Sequence, residues 1–270
     1  LERAPIAHVV ATHYHPDHLG NTAWLAKRFD APVSMTQAEF LTAHALLDQR
    51  ATHALPDTCA LFMSHGLERD QVEALAARGN AYARGVPEAP RTIERMIAGD
   101  TVRFGGQDWT VIPGYGHSPE HASLHSPSSG ILISGDMLLP RISTNVSVWP
   151  VEPEGDPVGR FLGSLASFER LPGDTLVLPS HGMPFRGIAA RVTELRAHHD
   201  ARLSELEEAL ADAHAPRSAG DLVPVLFRRP LDLQQRFFAT GEAIAHLNHL
   251  WRTGRATRVV EPDGAVRFSA

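Results

Sequence analysis

The chain has 270 residues, 43% of them apolar and 21% charged, a balance that excludes disorder as the dominant state and supports a buried core. No run approaches ~18 consecutive apolar residues, which excludes a transmembrane helix, and the single cysteine, Cys59, excludes an internal disulfide or a Cys-based zinc cluster. The net charge of −6 speaks against a whole-surface nucleic-acid field. The start, Leu1-Glu2-Arg3-Ala4-Pro5, has neither a Met nor an apolar leader core, so the sequence reads as a segment of a longer chain; the cysteine count fits a reducing, cytoplasmic compartment, and a disulfide-free exported protein would look the same. Arg outnumbers Lys 24 to one, which reads as bacterial codon bias. Histidine stands out, with 16 residues where roughly 2% is ordinary.

The first strand is Val9-Val10-Ala11-Thr12, followed by His13-Tyr14-His15-Pro16-Asp17-His18. A helix over about 18–29 comes next, with Asp17 placed to cap it. Residues 36–86 carry Leu41, Leu46, Leu47, Leu61, Phe62, Met63, Leu67, Val72 and Leu75 among polar residues. They predict two or three helices of an insertion spanning about 36–98, which could roof a site with apolar surface. Thr101–Phe104 and Trp109–Ile112 flank Gly105-Gly106 and read as a hairpin. The second of these continues through Gly116 to His117. Ile131–Gly135 runs into Asp136, and Thr175–Ser180 into His181. A long amphipathic helix covers about 188–213.

Composition shifts after Pro216. Residues 217–270 hold eight Arg against five acidic residues, a charge of +3, while the rest is −9. Two helices, Leu222–Arg228 and Leu233–Thr253, precede a hairpin joining Arg258–Val260 to Ala265–Phe268 across Pro262-Asp263-Gly264. Residues 1–215 thus read as a catalytic domain and 216–270 as a winged-helix-like one.

Four β-branched runs therefore end in metal-competent side chains, and ligands at successive strand ends converge on one rim of a sheet. In extended backbone, His13 and His15 point the same way and can grip one ion. Pro16 keeps His15 extended, and the turn that follows lets Asp17 and His18 face a second ion. His117, Asp136 and His181 supply further ligands, and the two oxygens of Asp136 can bridge. All-N/O ligation suits zinc, with iron or manganese feasible.

The strings Thr12-His13-Tyr14-His15-Pro16-Asp17-His18-Leu19-Gly20, Gly116-His117-Ser118-Pro119, Ser134-Gly135-Asp136 and Pro179-Ser180-His181-Gly182 resemble the metallo-β-lactamase-fold hydrolases over about residues 5–190. The segment Thr240–Leu247, with Gly254-Arg255-Ala256, looks like the winged-helix extension of the branch holding β-lactamase-like endoribonucleases and some thioesterases. The resemblance implies an αββα sandwich with two divalent metals at its edge. It implies one metal on His13, His15 and His117, the other on Asp17, His18 and His181, and Asp136 between them. Only twelve residues precede His13, so the family's first strands are expected to be missing. Glu120 stands where many relatives carry glycine.

A water shared by two divalent ions is acidified toward neutrality and gives a hydroxide nucleophile. Asp17 would orient it and relay its proton. Arg141, Ser143 and Asn145, in the loop after Asp136, are candidate substrate contacts, and Tyr14 and His121 could donate to an oxyanion. His65, His125, His198, His199, His246 and His249 lack a ligand-like context and read as structural. The resemblance favours a thioester, lactone or related carboxylic ester as small-molecule substrate, because an aspartate such as Asp136 marks the thioesterase, lactonase and nuclease branches. The alternatives are a phosphodiesterase acting on RNA or DNA through Arg228, Arg229, Arg252, Arg255, Arg258 and Arg267, a mono-iron sulfur dioxygenase, and a winged-helix binding protein with a vestigial metal domain. No membrane partner is expected, and a homodimer is compatible with the reading.

Overall fold

The structure is a computed structural model and describes residues 5–270; the residues 1–4 of the leader reading lie outside it. The chain forms two compact units. The first comprises residues up to Arg50, Asn80–Thr144 and Gly163–Thr193; the second comprises Ala51–Gly79, Asn145–Leu162 and Glu194–Ala270. Residues 51–79, 145–162 and 194–215 therefore group with the C-terminal segment, not with the strands as the composition shift suggested.

In the first unit, β1 (Val9–Val10), β2 (Val33–Thr36) and β3 (Glu94–Met96) make a parallel sheet in sequence order. The second sheet has the order β4 (Thr101–Phe104), β5 (Gln107–Gly114), β6 (His121–Ser126), β7 (Ile131–Gly135) and β8 (Leu176–Pro179). Its pairs are antiparallel except β7–β8, which are parallel and joined by a crossover containing α7 (Pro157–Glu169), as parallel pairing requires. One buried cluster holds Ala11, just after β1, and Met35 and Met96 from the first sheet with Val111, Ala122 and Leu124 from the second. The sheets thus share a core, laced by Ala122 N–H donating to the Thr12 carbonyl at 2.9 Å. Helix α2 (Thr22–Phe29) lays Leu25, Ala26 and Phe29 against Val9 and Val33.

Several expectations are corrected. The helix expected over 18–29 is two: α1 (Pro16–Leu19) and α2, parted at Gly20, where a β-carbon would lie 2.4 Å from the Gly85 carbonyl oxygen. Asp17 does not cap it. Pro16 occupies the first helical position, so helix begins earlier and Asp17 falls within the first turn. The segment 36–98 is not wholly helical, because β3 lies within it and completes the first sheet. It contains α3 (Gln37–Leu47), a 3-10 turn (Ala51–His53), α4 (Leu55–Ser64), α5 (Arg69–Ala77) and α6 (Ala81–Gly85). Of its apolar residues, Phe40, Leu46 and Leu47 pack on the first unit's core, and Leu61, Phe62, Leu67 and Val72 are buried in the second unit. Among the described residues, no helix is long and apolar enough to cross a membrane.

The second unit carries the C-terminal part of α8 (Ile188–Ala211), α9 (Ala219–Leu226), α10 (Leu233–Arg252) and the hairpin β9 (Thr257–Val260) with β10 (Val266–Ser269). Capping boxes at Ser218/Asp221 and Asp232/Gln235 start α9 and α10, satisfying N–H groups that a helix start leaves orphaned.

His246 Nδ1 donates to the Glu242 carbonyl at 2.8 Å, so its Nε2 is the acceptor for His199 Nδ1–H at 3.0 Å. His199 Nε2 is then a bare nitrogen, buried with no hydrogen-bond partner. Burial first, then the neighbouring rings, pushes His199 down to about 3, and burial does most to push His246 and His65 down to about 4. The folded chain binds fewer protons than the unfolded one here, so this stability is complete above the ordinary imidazole range and is lost as pH falls through it. Each ring that stays neutral is expected to cost about 2 kcal/mol between pH 7 and pH 5. Urea midpoints at the two pH values check this; an unchanged midpoint would contradict it.

Candidate metal centre

Each strand end delivers one part of the site. Beyond β1, the Thr12 hydroxyl meets His13 Nδ1 at 3.0 Å, so His13 turns its Nε2 toward the rim. That nitrogen lies 2.9 Å from His15 Nδ1 and 3.2 Å from His117 Nε2, which follows β5 after Gly116. Asp136, after β7, sets Oδ2 3.4 Å from His117 Nε2 and Oδ1 3.5 Å from His18 Nε2. His181, after β8, places Nε2 3.6 Å from Asp136 Oδ1 and 3.2 Å from Asp17 Oδ2. The seven sequence-predicted ligands are therefore brought together in two groups. His13, His15, His117 and Asp136 form one, mostly buried; Asp17, His18 and His181 form the other, open to solvent, and in each the candidate atoms lie within 4.8 Å of one another.

The chemistry of this set fits divalent cations. Three imidazole nitrogens and a carboxylate converge where hydrogen bonding among themselves cannot satisfy them all. His18 Nε2 and Asp136 Oδ1 face each other buried and without a hydrogen-bond partner, a cost that a shared cation removes. Burial, followed by repulsion from the other rings, holds His13 and His15 well below the usual imidazole range. Burial alone would raise Asp136, but the adjoining His117 and His18 overcome it and hold its carboxyl well below the usual range. Neutral imidazoles and an ionised carboxylate are the forms that coordinate metals.

Supporting residues fix this geometry. His121 is fully buried, and its Nε2 accepts the Asp136 N–H at 3.1 Å, while the Thr144 hydroxyl donates to the Asp136 carbonyl at 2.5 Å. Burial, then His117, pushes His121 down to about 3. Its ring therefore holds the backbone under Asp136. Tyr14 belongs to the buried core; its carbonyl accepts the Tyr82 hydroxyl at 2.7 Å, and burial pushes its phenol up. Arg141 is exposed and Ser143 half-buried. Asn145 belongs to the second unit, where its Oδ1 accepts from the Ser147 hydroxyl at 2.9 Å. Arg191 on α8 straps the loop after Asp136, with Nε on the Leu139 carbonyl at 2.7 Å and a terminal nitrogen on that of Ile142 at 2.8 Å.

Sequence reasoning missed Arg191, Thr144 and above all Glu39 on α3. Glu39 is fully buried and accepts from Ser118 Oγ, Glu120 N–H and Tyr14 N–H. An acid in a helix's first turn is ordinarily a solvated one that complements the dipole, so nothing local betrays it.

Two sheets sharing a core, with histidines and aspartates gathered at the strand ends, define a metal-dependent hydrolase of the metallo-β-lactamase fold. The chain belongs to the metallo-beta-lactamase superfamily, whose sequence profile matches residues 1–181, and the profile of the metallo-beta-lactamase-like C-terminal domain matches 203–270. It is similar to a beta-lactamase domain protein from Burkholderia ambifaria, at 44% identity and a TM-score of 0.90 over all of this chain and 76% of that one. A metallo-beta-lactamase family protein from Thermus thermophilus shares 28% identity and a TM-score of 0.79, over 98% of this chain and 79% of that one. Among curated proteins, a probable metallo-hydrolase of Bacillus subtilis is 25% identical over 93% of this chain and 76% of its own length. A hydroxyacylglutathione hydrolase of Cereibacter sphaeroides is 31% identical over 40% of each chain.

Proposed function

We propose that the chain hydrolyses a thioester, lactone or related carboxylic ester with two divalent metal ions, zinc foremost. His13, His15 and His117 would hold one, Asp17, His18 and His181 the other, with Asp136 placed between the two groups. The observation that carries this reading is the placement of Asp136, with Oδ2 toward His117 and Oδ1 toward both His18 and His181. When bound, such ions acidify water and polarise an acyl carbonyl.

The chain's own groups do the rest. The second ligand group is the open one, so substrate approaches past His181 and Asp17, whose side chains are 45% and 58% exposed. The Asp17 carboxylate, whose Oδ2 lies 3.2 Å from His181 Nε2, would take a proton from the attacking water and return it to the departing thiolate or alkoxide. Water oxygen ends on the acyl carbon, giving a free thiol or alcohol and a carboxylic acid, which releases its remaining proton to solvent. His121 and Thr144 keep the Asp136 backbone from shifting as charge develops.

The curated relative named for acylglutathione hydrolysis, a thioester reaction, supports the thioester class. The arginines that a nucleic-acid reading would need are already engaged. Arg255 pairs with Glu207, Arg258 with Glu154 at 3.1 Å, Arg267 with Asp221 at 3.8 Å and Arg228 with Glu205 at 3.6 Å. Arg229 bonds Gln235 at 3.0 Å and Arg252 the Glu154 carbonyl. The order α9, α10, β9, β10 fits a winged-helix-like extension.

Zinc-loaded protein assayed against thioesters, lactones and phosphodiesters tests the reading. Thioester or lactone turnover that is lost with a chelator and restored by zinc is expected. Turnover confined to phosphodiesters, or one iron per chain with oxygen consumption, would overturn it.

A further inference from the structure

Glu39 lies on neither ligand motif, yet it touches both. Its Oε1 accepts the Ser118 hydroxyl and the Glu120 N–H, each at 2.7 Å, and its Oε2 accepts the Tyr14 N–H at 2.9 Å. Tyr14 sits between His13 and His15, and Ser118 follows His117 directly. The first turn of α3 adds a further tie, because the Thr36 hydroxyl, just before the helix, donates to the Glu120 carbonyl at 2.8 Å. The main chain at Glu120 is thus held through both its N–H and its C=O.

We propose that Glu39 is a positioning residue for the metal centre: one buried carboxylate joins the loop carrying His13 and His15 to the loop carrying His117, and so sets the spacing of the three imidazoles. The inference rests on those rings being metal ligands, as proposed above.

Three donors converge on two oxygens, so only an acceptor-only group serves. A protonated acid or an amide would turn a hydrogen toward one of the donors. Burial raises the Glu39 carboxyl while the three hydrogen bonds oppose that rise. A fully buried carboxylate is costly unless its bonds are complete, and the loops that supply them are therefore locked in register. Glu39→Gln is nearly isosteric and isolates the effect. Its amide leaves a donor facing a donor, so one loop is released while the helix and its packing are kept.

The test is zinc affinity, measured by competition with a chromogenic chelator, in the wild-type chain, Glu39→Gln and Ser118→Ala. Glu39→Gln is expected to weaken zinc binding about 10–100-fold, the range for residues that orient metal ligands. At saturating zinc its kcat, normalised to the folded fraction read by circular dichroism, stays reduced, which loss of folded protein alone would not give. Ser118→Ala removes one of the three donors and is expected to weaken binding about 3–10-fold. It decides the matter if Glu39→Gln does not fold. Wild-type zinc affinity in the folded Glu39→Gln chain, or in Ser118→Ala where it alone folds, would overturn the inference. The affinity measurement needs no substrate: weakened binding without ester turnover would leave Glu39 in its role and remove the proposed reaction. Unchanged binding with ester turnover would do the reverse.

Discussion

Asp136→Asn is expected to lower kcat/KM on the order of 10³-fold, about 4 kcal/mol of transition-state stabilisation, and to reduce bound zinc from two ions per chain to one or fewer. The reason is geometric. Oδ1 faces His18 and His181 while Oδ2 faces His117, so both oxygens are needed as acceptors. An amide offers one oxygen and turns its NH2 toward the other group. The side chain cannot adapt by shifting its backbone, because His121 receives the Asp136 N–H and Thr144 holds the carbonyl. The folded state should be kept, since asparagine has the same shape. Elemental analysis beside steady-state kinetics checks both halves; full activity with two zinc ions would contradict the spanning role.

Gly135→Ala is expected to destabilise the fold by about 3 kcal/mol and to impair the site with it. Gly135 has φ +52°, a left-handed conformation that costs an L-residue about 1–2 kcal/mol. A β-carbon there would lie 2.3 Å from His121 Nε2 and 3.2 Å from the Thr12 β-carbon. Because His121 is buried on all sides, it can yield only by losing packing, a further ~1–3 kcal/mol. It would also surrender the Asp136 N–H. A lowered urea midpoint with unchanged denaturant dependence, together with weaker zinc binding, is the expected pair of results. Wild-type stability would contradict the close approach.

The ligand-bearing ends were legible because each follows a β-branched run, and β7 falls on the residues the pattern predicts, Ile131–Gly135. Partners in the first sheet were not. The strands β2 and β3 span only 33–36 and 94–96, too short to show a period. In β6 every residue is buried, so alternation vanishes, and its His and Ser residues disguise a core strand. The sequence pattern also placed Asp17 as a cap, whereas Pro16 already opens α1. The site's supports were the least legible part. Glu39 and Arg191 act through contacts across 79 and 52 residues of chain, which no local pattern encodes. The backbone of Asp136 is held from β6 and from the following loop, so its importance is visible only once the strands are assembled.

Anomalous diffraction from crystals of the zinc-loaded chain, recorded on both sides of the zinc edge, tests the central claim most directly. The account predicts two peaks roughly 3.5–4 Å apart, the spacing of two-metal hydrolytic sites, with Asp136 contacting both and three histidines on the inner one. A single peak, or two that share no contact with Asp136, would contradict it.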